Sequence, residues 1–158
     1  MERGERVKVK EVMQKEVTSL KPEDNALEAL NLLFKMQISG LPVINAQQKL
    51  AGMFTEKDVL KYVLPSYIEQ VGMFVYQENP KSTGRKFSLL GKLTVGELMR
   101  RDVVTTSEDI TLCEAARLML TQRIRRVPVV DQGGSVVGIV ARGDILKGIA
   151  AEAGAKIN

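Results

Sequence analysis

Asp58 and Asp144 are the residues of this 158-residue chain whose type and setting point to ligand chemistry. Each stands at the start of a segment with helical apolar spacing, in Thr55-Glu56-Lys57-Asp58 and in Ala141-Arg142-Gly143-Asp144. A carboxylate there has two possible uses. It can accept two adjacent hydroxyls in a bidentate, charge-assisted contact. It can also close a Thr-x-x-Asp variant of the capping box, satisfying backbone N–H groups with no ligand at all. In the second segment Ala141 has no oxygen with which to cap, yet the aspartate persists, which favours a role for Asp144 outside the box. Arg123, Arg125, Arg126 and Arg142 cluster around it, where the first segment has Gln37, Ser39, Gly40 and Glu56. A planar guanidinium fork matches phosphate oxygens, and several together hold two or three phosphates. The plain alternative is a solvated basic face, or salt bridges to Asp102 and Glu108.

Composition removes other chemistries. The chain has no histidine, and so lacks the commonest general base and the commonest metal ligand. With Cys113 as the single cysteine, zinc sites and Cys/His nucleophile arrangements are excluded. No motif pairs acids for catalysis, so the chain reads as a binder and not an enzyme. Cys113 cannot form an internal disulfide, and its apolar neighbours predict a small core residue, in keeping with a reducing cytoplasm. No run approaches the roughly 18 apolar residues that cross a bilayer, and the charged start carries no apolar segment behind it. These features predict a soluble cytoplasmic protein without a membrane partner. The net charge of +4 comes from Lys and Arg scattered among 19 acidic residues, a pattern that gives nucleic acid no support as a partner.

The two aspartates are related by a duplication. Residues 9–61 align without a gap on residues 95–147, at a constant offset of 86 (95 − 9). Val9, Met13, Ala29, Ile38, Pro42, Val43, Gly52, Asp58 and Lys61 meet the same residue types at Val95, Met99, Ala115, Ile124, Pro128, Val129, Gly138, Asp144 and Lys147. Repeats that cannot bury their apolar faces alone stack on each other, which predicts a pseudo-twofold pair with related grooves.

Each repeat opens with a helical turn (residues 9–13 and 95–99) and an extended segment (17–20 and 103–106). An amphipathic helix of about four turns follows, read from apolar spacings of three and four. A strand-forming segment comes next, residues 38–45 and its counterpart 124–131, and a turn leads to a second strand, residues 50–54 and 136–140, making a hairpin. A last helix carries Val59, Leu60 and Val63, or Ile145, Leu146 and Ile149. Pro42 and Pro128 cannot donate to a ladder and belong at a strand's first residue or edge. The predicted organisation is repeat 1 over residues 8–64, an insert with a short helix over 65–92, repeat 2 over 93–150 and a tail over 151–158. The insert holds Tyr67, Phe74, Tyr76 and Phe87. Its first half is expected to pack as a helix or lid and residues 79–86 to form a mobile turn.

Strand, helix, strand, strand, helix, twice over, resembles the cystathionine β-synthase (CBS) domain, and the two together resemble a CBS pair, or Bateman module. The resemblance rests on Val-x-x-x-Met (Val9 to Met13, Val95 to Met99), the hydrophobic-Pro-Val strand (Leu41 to Val43, Val127 to Val129), Gly52 and Gly138, and Asp58 and Asp144. It implies an α/β fold of two tandem β-α-β-β-α repeats packed as a pseudo-twofold pair, with small mixed sheets covered by helices. It also implies a non-catalytic regulatory module that binds AMP, ADP or ATP, or less often S-adenosylmethionine, in clefts between the repeats and signals to a protein target.

The family pattern of Thr or Ser followed three residues later by Asp, with the carboxylate on ribose hydroxyls, falls on Thr55 and Asp58. The second copy departs from it at Ala141 but keeps Asp144. Adenine would lie along Ser39, Gly40, Leu41 and Pro42, and along Arg125, Arg126, Val127 and Pro128. Thr18 and Thr105 would form the opposite wall, and Arg142 would assist with phosphate. The two clefts are expected to be unequal. The resemblance further implies a homodimer joined through helices. The alternatives are a dimerisation or scaffold module with no ligand, and a nucleic-acid binder using the arginines.

Overall fold

The structure, a computed structural model, describes residues 7–64 and 80–157. Its elements in chain order are a 3₁₀ turn Val9–Glu11, α1 Ala26–Met36, β1 Gly40–Ile44, β2 Leu50–Thr55 and α2 Glu56–Val63. Then come α3 Pro80–Ser88, a 3₁₀ turn Leu89–Lys92, α4 Val95–Leu98, α5 Leu112–Gln122, β3 Arg126–Val130, β4 Val136–Ala141 and α6 Arg142–Glu152. The fold is α/β, with two small sheets of two strands each, β1 with β2 and β3 with β4.

Among the described residues, one compact unit gathers 19–46, 51–64 and 80–102, and the other gathers 7–18, 47–50 and 103–157. Sequence repeat and compact unit therefore divide the chain differently, because each repeat's opening segment completes the body of the other. In the β3–β4 unit Gln14 pairs with Ile139 through N–H···O bonds of 2.8 and 2.9 Å in the two directions. In the β1–β2 unit Arg100 and Met53, the offset equivalents, exchange two bonds of 2.8 Å. Gly52 and Gly138 make this close pairing possible. A Cβ on Gly52 would lie 2.5 Å from the Arg100 carbonyl oxygen, and one on Gly138 would lie 2.6 Å from Met13 Sδ and 3.0 Å from the Gln14 carbonyl oxygen.

In the β1–β2 unit, α1 begins at Asn25, whose side chain accepts from the Leu27 and Glu28 N–H groups at 3.0 and 3.1 Å, an N-cap that satisfies two otherwise orphan donors. The helix buries Ala26, Ala29, Leu30 and Leu33 against Val43, Phe54, Leu90 and Val95. It stops where Gln37 turns left-handed at φ 56°. The β3–β4 unit repeats the plan. Leu112, Ala115 and Met119 of α5 pack with Val9, Val127, Val129, Val140 and Ile145, and Arg123 ends the helix at φ 55°. β3 and β4 run antiparallel with Arg126 opposite Ala141 and Val127 opposite Val140.

Three expectations are corrected here. The opening extended segments form no strand of their own. Each joins its sheet through one parallel bridge, Leu20 to Val43 and Thr106 to Val129. The next rung would require an N–H on Pro42 or Pro128, which proline lacks. Cys113 is exposed, because it follows Leu112 by about 100° around α5 and so points away from the stripe at 112, 115 and 119. The turn expected over 79–86 is helical from Pro80 onward, and a proline suits the first position of a helix because its fixed φ and missing N–H cost nothing there. The aromatic half of the insert lies outside the described residues.

Candidate ligand site

Both aspartates sit where a strand passes directly into a helix. At the β2–α2 junction Asp58 Oδ2 accepts from the Thr55 N–H at 2.9 Å and from Thr55 Oγ1 at 2.9 Å. Thr55 Oγ1 in turn accepts from the Asp58 N–H at 3.2 Å. At the β4–α6 junction Asp144 Oδ2 accepts from the Ala141 N–H at 2.8 Å. The capping box is thus closed in the first repeat and half-closed in the second. This corrects the inference drawn from Ala141. Asp144 has a structural use of its own, since it satisfies the N–H that precedes α6 without help from a hydroxyl.

The strand beside each junction is held in the same way. The Glu56 N–H donates to the Ser39 carbonyl at 2.9 Å, and the Arg142 N–H donates to the Arg125 carbonyl at 3.1 Å. Arg142 Nε also donates to the Ile124 carbonyl at 3.1 Å, which fixes its guanidinium over the start of β3. Two equivalent backbone frames therefore carry different side chains. In both, one carboxylate oxygen is committed to the helix start, while Oδ1 of Asp58 and of Asp144 has no partner among the described residues. Both aspartates are half-buried, so each presents one free oxygen from a fixed position.

The structure brings Thr55, Asp58, Ser39 and Gly40 together in one frame and Asp144, Arg142, Arg125 and Arg126 in the other. Leu41, Pro42, Val127 and Pro128 are buried in the two cores, so their side chains form no exposed wall. The carbonyls of Pro42 and Pro128 are taken by the Leu20 and Thr106 N–H groups at 2.9 and 3.1 Å. Thr18 is exposed and belongs to the unit that contains residues 103–157. Thr105 lines an open cleft of about 650 Å³ with Thr106, Glu108, Asp109, Asp131 and Gln132. That cleft lies at the Val130 end of β3, away from Arg126. The sequence reading did not single it out, because its polar residues follow no motif.

Arg123, Arg125 and Arg142 are exposed and Arg126 is half-buried. Lys10 pairs with Asp109 at 3.3 Å, and none of the four arginines pairs with a carboxylate among the described residues, so the arginine cluster keeps its charge unpaired. No group of His, Cys, Asp or Glu among the described residues is arranged to hold a metal ion, and no helix among them is long and apolar enough to cross a membrane.

The profile of the CBS domain matches residues 9–65 and again residues 95–151. An inosine-5'-monophosphate dehydrogenase of Methanocaldococcus jannaschii is 32% identical over 140 residues, which make up 89% of this chain and 23% of that enzyme. CBS domains therefore occur within enzymes, and this match is to the CBS part alone. The crystal structure of CBSX2, an Arabidopsis thaliana CBS-pair protein, in complex with AMP superposes with a TM-score of 0.69 at 27% identity, covering 91% of this chain and 96% of that one. The CBS domain pair of protein MJ0100, solved in complex with 5'-methylthioadenosine and S-adenosyl-L-methionine, superposes with a TM-score of 0.64 at 27% identity, covering 92% and 98%. Two matched segments at the spacing of the duplication, with the same element order in each, establish that this chain belongs to the CBS domain family as a tandem pair.

Proposed function

We propose that the chain is a non-catalytic regulatory module in which Asp58 and Asp144 each hold the ribose of an adenine nucleotide, AMP, ADP or ATP, and that occupancy is passed to a protein target. The observation that carries this reading is the uncommitted Oδ1 at two equivalent helix starts. One oxygen anchors the carboxylate to the backbone and the other has no partner among the described residues, an arrangement able to accept a sugar hydroxyl in a charge-assisted bond. The AMP bound by CBSX2, and the methylthioadenosine and S-adenosylmethionine bound by the MJ0100 pair, support an adenosine ligand. A signal requires that the ligand bind two conformations with different affinity. Exposed apolar side chains on both helix pairs, Phe34 and Leu60 in one unit and Leu120 and Leu146 in the other, support a homodimer closed through helices.

Isothermal titration with AMP, ADP, ATP and S-adenosylmethionine tests it, on the wild type and on Asp58→Ala and Asp144→Ala. Loss of one binding event in each variant, with the circular dichroism of the fold retained, is the expected result. Silence toward every adenosine compound would favour a ligand-free scaffold. Binding that followed nucleic acid with a steep dependence on salt would favour the third reading.

A further inference from the structure

The exchange of Thr55 for Ala141 looks like the loss of a polar contact, but the geometry gives it another meaning. Gly40 and Thr55 of repeat 1 correspond at the offset of 86 to Arg126 and Ala141 of repeat 2. A Cβ built on Gly40 would lie 2.7 Å from Thr55 Cγ2, a separation that side chains do not tolerate. A threonine beside β1 therefore requires glycine at position 40. In repeat 2 Arg126 lies directly opposite Ala141 in the β3–β4 register. Alanine has no γ-methyl, so the space that admits the arginine's Cβ is the space Thr55 fills in repeat 1. The two substitutions are one exchange, a hydroxyl given up for a guanidinium.

We infer that this exchange makes repeat 2 the site for the phosphate chain and repeat 1 a site for adenosine compounds with little or no negative charge at the 5' end. The inference rests on the proposed reading that each repeat holds an adenine nucleotide. The Arg142 N–H bond to the Arg125 carbonyl and the Arg142 Nε bond to the Ile124 carbonyl tie the start of α6 to the start of β3, where Arg126 lies opposite Ala141. With Arg123 they carry four positive charges, while Gln37, Ser39, Gly40 and Glu56 carry one negative charge, a difference of five between equivalent positions. No acidic side chain among the described residues neutralises the arginines. The guanidinium groups of Arg125 and Arg126 have no internal partner among the described residues, and a planar donor fork of this kind is suited to bidentate phosphate binding. Glu56, on its frame in repeat 1, repels the same group.

Each site is read alone by titrating adenosine, AMP, ADP and ATP into Asp58→Ala, which isolates repeat 2, and into Asp144→Ala, which isolates repeat 1. Repeat 2 is expected to bind ATP about a hundredfold more tightly than adenosine, and repeat 1 to show no such gain. Adding Arg125→Gln and Arg126→Gln to the Asp58→Ala background is expected to reduce the ATP-to-adenosine ratio at least tenfold. These variants keep a Cβ and a polar stem, and thermal unfolding checks their fold. The reciprocal change, Gly40→Arg with Thr55→Ala and Glu56→Arg in the Asp144→Ala background, is expected to raise the ratio at repeat 1. An unchanged ratio in folded arginine variants that still bind adenosine overturns this inference and leaves the proposed function standing. Failure of the wild type to bind any of the four compounds overturns both.

Discussion

The coupling between position 40 and position 55 can be measured without any ligand. Gly40→Ala places a methyl 2.7 Å from Thr55 Cγ2 and 3.1 Å from the Phe54 carbonyl oxygen. Ordinary contact begins near 3.4 Å, so the threonine methyl must retreat or β1 must shift, and overpacking of this kind costs about 1–3 kcal/mol. Thr55→Ala removes the hydroxyl that accepts from the Asp58 N–H at 3.2 Å and donates to Asp58 Oδ2 at 2.9 Å, the loss of an N-cap worth about 1 kcal/mol. If the two acted independently, the double variant would lose about 2–4 kcal/mol. Removing Cγ2 relieves the clash, so the double variant is expected to lose only about 1 kcal/mol, a coupling of about 1–3 kcal/mol. Urea denaturation of the four proteins, followed by circular dichroism, gives the cycle directly. Additivity within about 0.5 kcal/mol would refute the claim that the threonine methyl is what excludes a side chain at position 40.

Other outcomes follow from the packing. Gly52→Ala is expected to destabilise more than Gly138→Ala, because the nearest atom is the Arg100 carbonyl oxygen at 2.5 Å in one case and the movable Met13 Sδ at 2.6 Å in the other; the two denaturation midpoints compare them. Phe54→Ala, at a side chain that is 0% exposed in the β1–β2 core, is expected to cost about 3–5 kcal/mol in the same assay. Asp131→Ala removes a carboxylate oxygen that accepts from the Gly133 and Ser135 N–H groups at 2.9 Å each. It is expected to cost about 1–3 kcal/mol and to speed hydrogen exchange at those two amides.

Much of this architecture can be read from residue spacing, since an apolar stripe recurring at three and four makes a helix wherever the chain lies. Both long helices, both hairpins and the two strand-to-helix junctions at Thr55 and Ala141 stand where periodicity puts them. Long-range pairing was not readable in this way. Nothing local in residues 9–14 shows that Gln14 joins Ile139 and not a strand of its own repeat, although Gly52 and Gly138 mark the places where another backbone must come close. Cys113 is exposed despite its apolar sequence neighbours, because neighbours in sequence are not neighbours around a helix. At the site, the aspartates and arginines were visible as residue types, but the backbone use of Asp144 was not, since half a capping box leaves no trace in a sequence that reads Ala141. The dependence of Gly40 on Thr55 was present in the two aligned copies, but only distances between the strands give it a physical cause.

Whether each repeat offers one free carboxylate oxygen to an adenosine sugar is decided by a crystal structure of the protein grown with ATP. Ribose hydroxyls are expected within about 2.6–3.2 Å of Oδ1 of Asp144, with phosphate oxygens on Arg125, Arg126 or Arg142 and the Ala141 N–H bond to Oδ2 intact. Nucleotide bound elsewhere, with Asp58 and Asp144 bonded only to their own helix starts, would contradict it.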